Sequence, residues 1–532
     1  MTRRAGATLA LLLTIFAGCT VGPNYKPPAT QVPEQYGPPA TQPATQPAGE
    51  PPDLADWWTT LKDPLLDSLI ERAIASNLDL RVAEARVREA RSQRAVTASG
   101  LWPQVNVNDA YRYKGTSENA NPKQKTTGTT GGLQGFGKLP GITILPGTGA
   151  TTPTIMINTQ GEQTDNSSTS GLFNLFRQPS GVERTQNLFQ AGFDATWEID
   201  VFGGVRRSIE AAEADIQVAE ENRRYVLVTL LSEVARNYIE ARANQRRLDI
   251  VHGNIRSQAD TLELTRTRFN AGLTSELDVA QAESQLASTQ SQVPLLDILL
   301  RQAIHRLGVL LGQPPESLLE ELNQDTPLPT IPPEIPLGLP SELLLRRPDI
   351  RRSERELAAA TARIGVATAE LFPRFSLTGS FGTQTDDMQH FLDRKSLFWS
   401  VGPNMSWPIF DAGRIRANID VQDARQQQAL ALFQQTILTA LEDVENTVVA
   451  YRQEQVRHRY LASAVQANRR AFQLANERYT KGLADFLSVL ESQRSLYITE
   501  DALVQSEGQA VTNLIALYKA LGGGWEVQSS PR

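Results

Sequence analysis

The sequence is poor in the residue types that most enzymes use for catalysis and metal binding. Its 532 residues include one cysteine, four histidines and four methionines. A single cysteine cannot form a disulfide bond within the chain, and so few methionines give no basis for a relay of soft metal ions. No zinc-protease, phosphate-loop or serine-hydrolase motif is present. These absences predict a protein with no enzymatic activity, no metal site and no bound cofactor.

The chain also lacks a long hydrophobic run and an excess of positive charge. Its formal net charge is −7, so nothing indicates binding to nucleic acid. The longest apolar run, at residues 9–17, is too short for a transmembrane helix and lies at the N-terminus. A role in a membrane would therefore depend on β-strands, a lipid anchor or a surface helix.

The first residues have the pattern of a secretory signal peptide, residues 1–18. Two arginines precede the apolar run, and "FAGC" ends it at Cys19. This ending resembles a bacterial lipobox, except that Phe16 stands where such motifs usually have leucine. We expect a lipid on Cys19 and, because Thr20 rather than aspartate follows, an outer-membrane location. The alternative is an ordinary signal peptide with an unmodified buried thiol. Residues 19–55 are then a lipidated N-terminus and an extended Pro-rich linker.

The remaining chain contains two copies of one unit. At an offset of 210 residues, Trp197 aligns with Trp407 and Gly203 with Gly413, without a gap from 192 to 312. Upstream the offset is 270, so the first copy contains about sixty extra residues, which we interpret as an outer loop at 114–188. The predicted parts are the repeats at 56–312 and 349–522, a linker at 313–348 and a tail at 523–532.

Each copy contains two stretches in which apolar and polar residues alternate, as in a half-exposed sheet. The predicted strands lie at about 102–113, 189–200, 373–384 and 397–410. Their length suits tilted membrane strands, and tryptophans near their ends suit an aromatic girdle: Trp102, Trp197, Trp399 and Trp407. A soluble sandwich is the alternative, although four strands make a poor one. Four strands also cannot close a barrel, so a barrel would need several chains.

Long helices follow each strand pair. Apolar residues recur every seventh position, from Leu227 to Phe269 and from Ile437 to Tyr479, which predicts supercoiled helices. They form hairpins at 204–312 and 414–522, with tips at 270–275 and 480–485. The tip glycines suit a left-handed position that ends a helix, and a serine or an aspartate caps the helix that follows. Both tips are expected at the same distal end.

These motifs together resemble the outer membrane efflux protein family (TolC- and OprM-like), in its lipoprotein or NodT-type branch. The resemblance rests on "VGPNYKPP" after the lipobox, on "WEIDVFGGVRR" and "WPIFDAGRIR", and on two R-[FY]-x-x-G-L turns. It covers nearly the whole mature chain except the insert. It implies a mainly α-helical fold with four membrane strands per chain, completed in a homotrimer as a barrel of twelve strands and a periplasmic tunnel of twelve helices.

The resemblance also implies the function and the partners. The chain would be the passive outer-membrane exit duct of a tripartite efflux pump for small molecules, working with a periplasmic adaptor and an inner-membrane pump. That pump is commonly of the resistance-nodulation-division class linked to multidrug resistance. Two alternatives stay open: the duct of a type I protein secretion system, or a non-channel coiled-coil lipoprotein of the cell surface.

The residues implied to act lie at the two tips. The adaptor-contacting positions are Arg268, Gly272, Leu273, Thr274, Arg478, Gly482, Leu483 and Ala484. The implied periplasmic gate consists of Asp278, Tyr479 and Glu491, while the family's gate arginine falls on Ala484 and is missing here. Asp278 has an alternative interpretation as the acid of a capping box, and Glu491 as part of a solvated helix face.

Overall fold

The computed structural model describes residues 20–29, 54–115, 185–323, 327–329 and 346–526. The signal peptide, Cys19, most of the Pro-rich linker and most of the predicted outer loop lie outside these residues. The helices are α1 Pro64–Ser76, α2 Leu78–Ser99, α3 Gly204–Asn270, α4 Glu276–Gln290, α5 Gln292–Leu310, α6 Leu319–Leu322, α7 Pro348–Ala369, α8 Arg414–Thr480 and α9 Phe486–Ala520. The strands are β1 Gln104–Gly115, β2 Thr185–Ile199, β3 Arg374–Thr385 and β4 Leu397–Ser406.

The chain divides into two compact units, a helical one and a smaller one that contains most of the sheet. The helical unit is built on α3 and α8, which have 67 residues each and are therefore roughly 100 Å long. Each begins after a glycine in the left-handed region, with φ of 80° at Gly203 and 85° at Gly413. Helices α2, α5, α7 and α9 pack on α3, and α7 and α9 pack on α8. None of the described helices has an apolar stretch that could cross a membrane.

A hydrophobic core lies around the middle of α3. Trp57, in a 3-10 turn before α1, is fully buried and its ring stacks on Tyr518 of α9 at a centroid distance of 5.2 Å. Leu231 and Val234 of α3 and Leu307 of α5 are completely buried in the same cluster. The heptad positions are therefore most buried here, whereas Phe269 at the end of the same column is exposed.

The two hairpins differ in their return helices. In the first copy the return helix is divided into α4 and α5 at Ser291, whereas α9 in the second copy is continuous. Pro294 has no amide to donate to the carbonyl of Gln290, which weakens the helix at this point. The matching position in α9 is Val504, which has an amide. The heptad pattern alone predicts one continuous helix in each copy, and it is wrong for the first.

The four strands form one sheet in the order β1-β2-β3-β4. Strand β1 pairs antiparallel with β2, with Val105 opposite Ala195. The strands β2 and β3 come so close that a Cβ on Gly382 would lie 2.4 Å from the carbonyl oxygen of Ala191. The sheet exposes many apolar side chains: Val105, Val107, Tyr111, Tyr113, Phe193, Phe381, Trp399 and Val401.

The strand bounds differ from the sequence-based ones at two places. Strand β4 ends at Ser406, so residues 407–410, which the sequence-based strand 397–410 included, lie outside the observed strand. Pro408 follows and cannot donate a ladder hydrogen bond. Strand β1 runs on to Gly115 and β2 begins at Thr185, so both extend into the predicted insert at 114–188.

Candidate functional site at the hairpin tips

Both hairpins turn with the same backbone hydrogen bonds. In the first, the amide of Gly272 donates to the carbonyl of Phe269 and that of Leu273 to Arg268, both at 2.8 Å. In the second, Gly482 donates to Tyr479 at 2.9 Å and Leu483 to Arg478 at 2.8 Å. The two glycines have φ of 72° and 75°. Apart from their chain neighbours, no described residue has an atom within 4 Å of where their Cβ would stand, so glycine is required here by backbone conformation rather than by lack of space.

The helix after the first turn begins with a capping box. The amide of Asp278 donates to Oγ of Ser275 at 3.3 Å, and the amide of Ser275 donates to Oδ2 of Asp278 at 3.2 Å. The hydroxyl of Thr274 also donates to this oxygen of Asp278. The Asp278 carboxylate therefore fixes the start of α4, which is the alternative that the sequence left open.

The helix after the second turn begins at a different cap. Asp485 accepts a hydrogen bond from the hydroxyl of Ser488 at 2.5 Å and one from its amide at 3.1 Å. Both bonds favour the charged carboxylate, so they lower the pKa of Asp485, with the Ser488 hydroxyl as the main cause. The two tips thus share the turn but use different acids to start the returning helix.

The two hairpins meet just above their turns in a small hydrophobic cluster. Tyr479, at the end of α8, is 2% exposed and packs with Phe486 and Val489 of α9. Leu262 of α3 and Ala282 of α4 bring the first hairpin into the same cluster. The prediction that both tips lie at the same end of the molecule therefore agrees with the packing.

Arg268 connects the first hairpin to Tyr479 of the second. Its Nη1 donates to the carbonyl oxygen of Tyr479 at 2.8 Å, and its guanidinium carbon lies 4.6 Å from the centre of the Tyr479 ring. The Tyr479 hydroxyl is buried and has no hydrogen-bond partner among the residues that the structure describes. Within one chain, Asp278 and Tyr479 are therefore not joined by a hydrogen bond.

The outward surface of each tip is apolar. Leu273 and Leu483 are exposed, and so are Leu277 and Leu487, one helical turn further on. The last two were not among the predicted site residues, although their equal spacing of four residues in both repeats was a usable signal. Thr274 and Ala484 are half-buried beside them, and Arg478, Gly272, Gly482 and Glu491 are exposed. Such a surface of leucines with a nearby arginine can bind a protein partner.

A second set of specific contacts involves residues 20–25, which we call the N-terminal segment. The amide of Val21 donates to the carbonyl of Phe202 at 3.2 Å. Arg207, only 3% exposed, donates to the carbonyls of Val21 and Gly22 at 3.0 and 3.3 Å, and to Oδ1 of Asn24 at 2.7 Å. The residues directly after Cys19 are therefore held against the start of α3. Cys19 itself lies outside the described residues.

Comparison with known proteins relates this geometry to a family. A profile of the outer membrane efflux protein family matches residues 151–313 and 339–523. The chain is 29% identical to nodulation protein T of Rhizobium leguminosarum bv. trifolii, over 98% of both chains. It is 32% identical to the pyoverdine export outer membrane protein OpmQ of Pseudomonas aeruginosa, over 89% of this chain and 88% of that one.

A solved structure supports the same relationship. The fold matches the outer-membrane channel OprN with a TM-score of 0.77 and 34% identity, over 95% of this chain and all of that one. Relatives of the NodT type are included in the matches. The chain therefore belongs to the outer membrane efflux protein family, whose members are efflux channels of the outer membrane rather than enzymes.

Proposed function

We propose that this chain is the passive exit duct of a tripartite efflux pump, formed by three copies in the outer membrane. A periplasmic adaptor would bind the tips, and an inner-membrane pump would supply the energy and the small-molecule substrate. The observation that carries the proposal is the internal repeat. In a single chain, the described residues leave one face of α2 and one face of α8 uncovered. The corresponding faces of α7 and α3, their counterparts in the other repeat, are covered.

The open faces belong to α2 and α8. Helix α7 of the second copy packs between α3 and α8, whereas α2, its counterpart in the first copy, packs extensively against α3 alone. The contact between α3 and α7 thus joins the two copies inside one chain. Its repeat equivalent would join α8 of one chain to α2 of the next, which is a head-to-tail contact that closes a ring.

Exposure of apolar side chains supports this contact. On α8, Val421 is 47% and Leu438 is 67% exposed, whereas their repeat counterparts Ala211 and Val228 on α3 are 5% and 4% exposed. Apolar surface of this extent is favourable to bury. Helix α2 of a second copy, packed on α8 as α7 packs on α3, would cover this apolar surface.

One predicted contact pair is wholly apolar. Arg352 of α7 donates to Oδ1 of Asn222 on α3 at 3.2 Å. The repeat equivalents are Val82 of α2 and Leu432 of α8, which are both large, apolar and exposed. The polar contact inside one chain would thus become a hydrophobic contact between chains.

Three copies give a suitable pore. Each chain contributes a four-stranded sheet, so three copies would supply twelve strands. Barrels of about eight strands have interiors filled by side chains, and larger ones leave a passage. The apolar side chains exposed on the sheet would then face lipid, and a lipid on Cys19 would add an anchor.

Disulfide cross-linking tests the assembly. A Cβ added to Gly204 would lie 3.2 Å from the Cβ of Ala369. The repeat equivalents are Arg414 and Ser99 of a neighbouring copy, close to the Cβ spacing of a disulfide, about 3.5–4.5 Å. The double variant Ser99→Cys, Arg414→Cys should give covalent trimers on non-reducing gels. Arg414→Cys with Ser92→Cys, about 10 Å further along α2, is the control. Equal yields from both pairs, or no trimer from the first, would contradict the proposed contact.

An efflux assay tests the function. Deletion of this chain in its native host should raise the retention of a fluorescent efflux dye, and the wild-type gene should restore efflux. The relative OpmQ is named for export of pyoverdine, a small molecule, which favours this class of substrate. Unchanged dye efflux together with the loss of a secreted protein from the medium would support the type I secretion alternative instead.

A further inference from the structure

The repeat-related arginines Arg268 and Arg478 stand at the same place in the two turns but have different surroundings. Arg268 bonds to the other hairpin through the Tyr479 carbonyl, at 2.8 Å, and through the face of the Tyr479 ring. Arg478 is exposed, and its guanidinium donates a hydrogen bond of 3.5 Å to the carbonyl of Leu483 in its own turn. Because the two arginines are equivalent in the repeat, they would be expected to have the same role. Their different contacts therefore need a separate explanation.

We propose that Arg268 is the latch that holds the two hairpins of each chain together in the closed tip. Its guanidinium contacts the face of the Tyr479 ring and donates a hydrogen bond to the Tyr479 carbonyl, whereas the Tyr479 hydroxyl makes no hydrogen bond with it. This inference rests on the proposed function as a duct that opens at its tip. It gives Arg268 a role within the chain in addition to any contact with an adaptor.

The burial of the Arg268 and Tyr479 side chains supports a contact through the ring face and not through the hydroxyl. The Nε atom of Arg268 and the hydroxyl oxygen of Tyr479 are both buried, and neither has a hydrogen-bond partner within the described part of the chain. A guanidinium over an aromatic ring is held more strongly when water is excluded. The hydroxyl is enclosed within its own chain, so it is not available to an acid such as Asp278 while the tip has this packing.

The position of the carbonyl couples the latch to the turn. The Tyr479 oxygen accepts the Arg268 bond and also the bond from the Gly482 amide, at 2.9 Å, that shapes the second turn. A carbonyl oxygen has two lone pairs and can accept both. Arg268 therefore binds the same oxygen atom that accepts the Gly482 amide, so release of the arginine removes one of the two hydrogen bonds that hold this carbonyl at the second turn.

Helix electrostatics favour a cation at this place. Arg268 lies in the last turn of α3, and the carbonyl that it binds lies in the last turn of α8. Both helices have the negative end of their dipoles here. One arginine thus serves two helix ends.

Single-channel recording on the purified full-length protein in planar bilayers tests the latch. Arg268→Ala should raise the ratio of open to closed dwell time about a hundredfold, because it removes a charged hydrogen bond and a desolvated cation–π contact. Arg266→Ala is the matched control, because Arg266 lies on the same helix but pairs with Glu283 of its own hairpin at 2.5 Å, and it should stay at the wild-type ratio. Tyr479→Phe should also stay there, since it removes only the unpartnered hydroxyl.

The outcomes separate the latch from the proposed function. A wild type that conducts, with an Arg268→Ala ratio within about threefold of it, would overturn the latch and leave the duct intact. Opening by Tyr479→Phe to the extent of Arg268→Ala would overturn it in favour of a hydroxyl-based gate. No conductance from any form would overturn the duct and the latch together. Arg268→Lys, which keeps the charge but not the planar donor, should give an intermediate ratio and shows that the effect is not misfolding.

Discussion

Replacing Arg207 by methionine tests how firmly the N-terminal segment is held on α3. Methionine keeps the apolar stem, which matters because Gly365 packs so tightly here that a Cβ on it would lie 2.9 Å from Cδ of Arg207. The substitution removes the guanidinium, with its three bonds to residues 21–24 and its 2.7 Å bond to Glu210 of α3. Alanine would add a cavity and confuse the two effects.

The expected magnitude follows from these bonds. A hydrogen bond from a charged donor contributes about 1.5–3 kcal/mol, and bonds that share one donor group are not additive. We expect a loss of about 3 kcal/mol for the set, which corresponds to a roughly hundredfold increase in the local opening of the segment.

Hydrogen exchange provides the assay. The Val21 amide is protected by its bond to the carbonyl of Phe202 and exchanges only when the segment lifts. Its exchange rate should rise roughly a hundredfold in Arg207→Met. Arg223→Met, on the same helix but paired with Glu84 at 3.6 Å, is the control and should leave Val21 unchanged. A rise of less than about threefold in Arg207→Met would show that the guanidinium does not hold the N-terminal segment on α3.

Three further predictions concern stability. Tyr238→Phe should lower the free energy of unfolding by about 1–3 kcal/mol, measured in denaturant, because it leaves a buried oxygen of Asp63 without its 2.5 Å bond. The pKa of Asp485 is lower in the folded than in the unfolded chain, so the charged carboxylate stabilises the fold above the unfolded pKa. This stabilisation is lost as the pH falls, and the start of α9 should therefore fray below about pH 4. Ser488→Ala should move this fraying, followed by hydrogen exchange, to higher pH. Pro294→Ala should join α4 to α5 and stabilise the hairpin by about 1–3 kcal/mol in thermal unfolding.

Control variants and contradicting outcomes can be named for each of these three predictions. Tyr460→Phe, at an exposed tyrosine of α8, should cost almost nothing, and a loss equal to that of Tyr238→Phe would contradict the first. Identical fraying curves for the wild type and Ser488→Ala would contradict the second. Val504→Pro, at the repeat position of Pro294, should break α9, and an undisturbed α9 would contradict the third.

The helical frame could be read from the sequence because its signals are local. The heptad columns, the glycines before and after each long helix, and the capping residues all depend on neighbours along the chain. The observed helices Gly204–Asn270 and Arg414–Thr480 have the bounds that these signals predict. The repeat also made the equivalence of the two tips visible before any coordinates.

What the sequence did not reveal depends on contacts between distant segments. Nothing near Arg268 in the chain indicates that its guanidinium lies on the ring of Tyr479, 211 residues away. The burial of Arg207 under residues 21–24 is equally non-local. The break at Ser291 was predictable from Pro294, but the heptad pattern masked it, since apolar residues continue on both sides.

The central claim is that the chain acts as a trimeric duct, and the most direct measurement is the mass of the detergent-solubilised particle. Light scattering corrected for bound detergent gives the number of chains without reference to any partner. We expect three chains per particle. A stable monomer would leave the edges of the four-stranded sheet unpaired and the faces of α2 and α8 uncovered, and would contradict the duct.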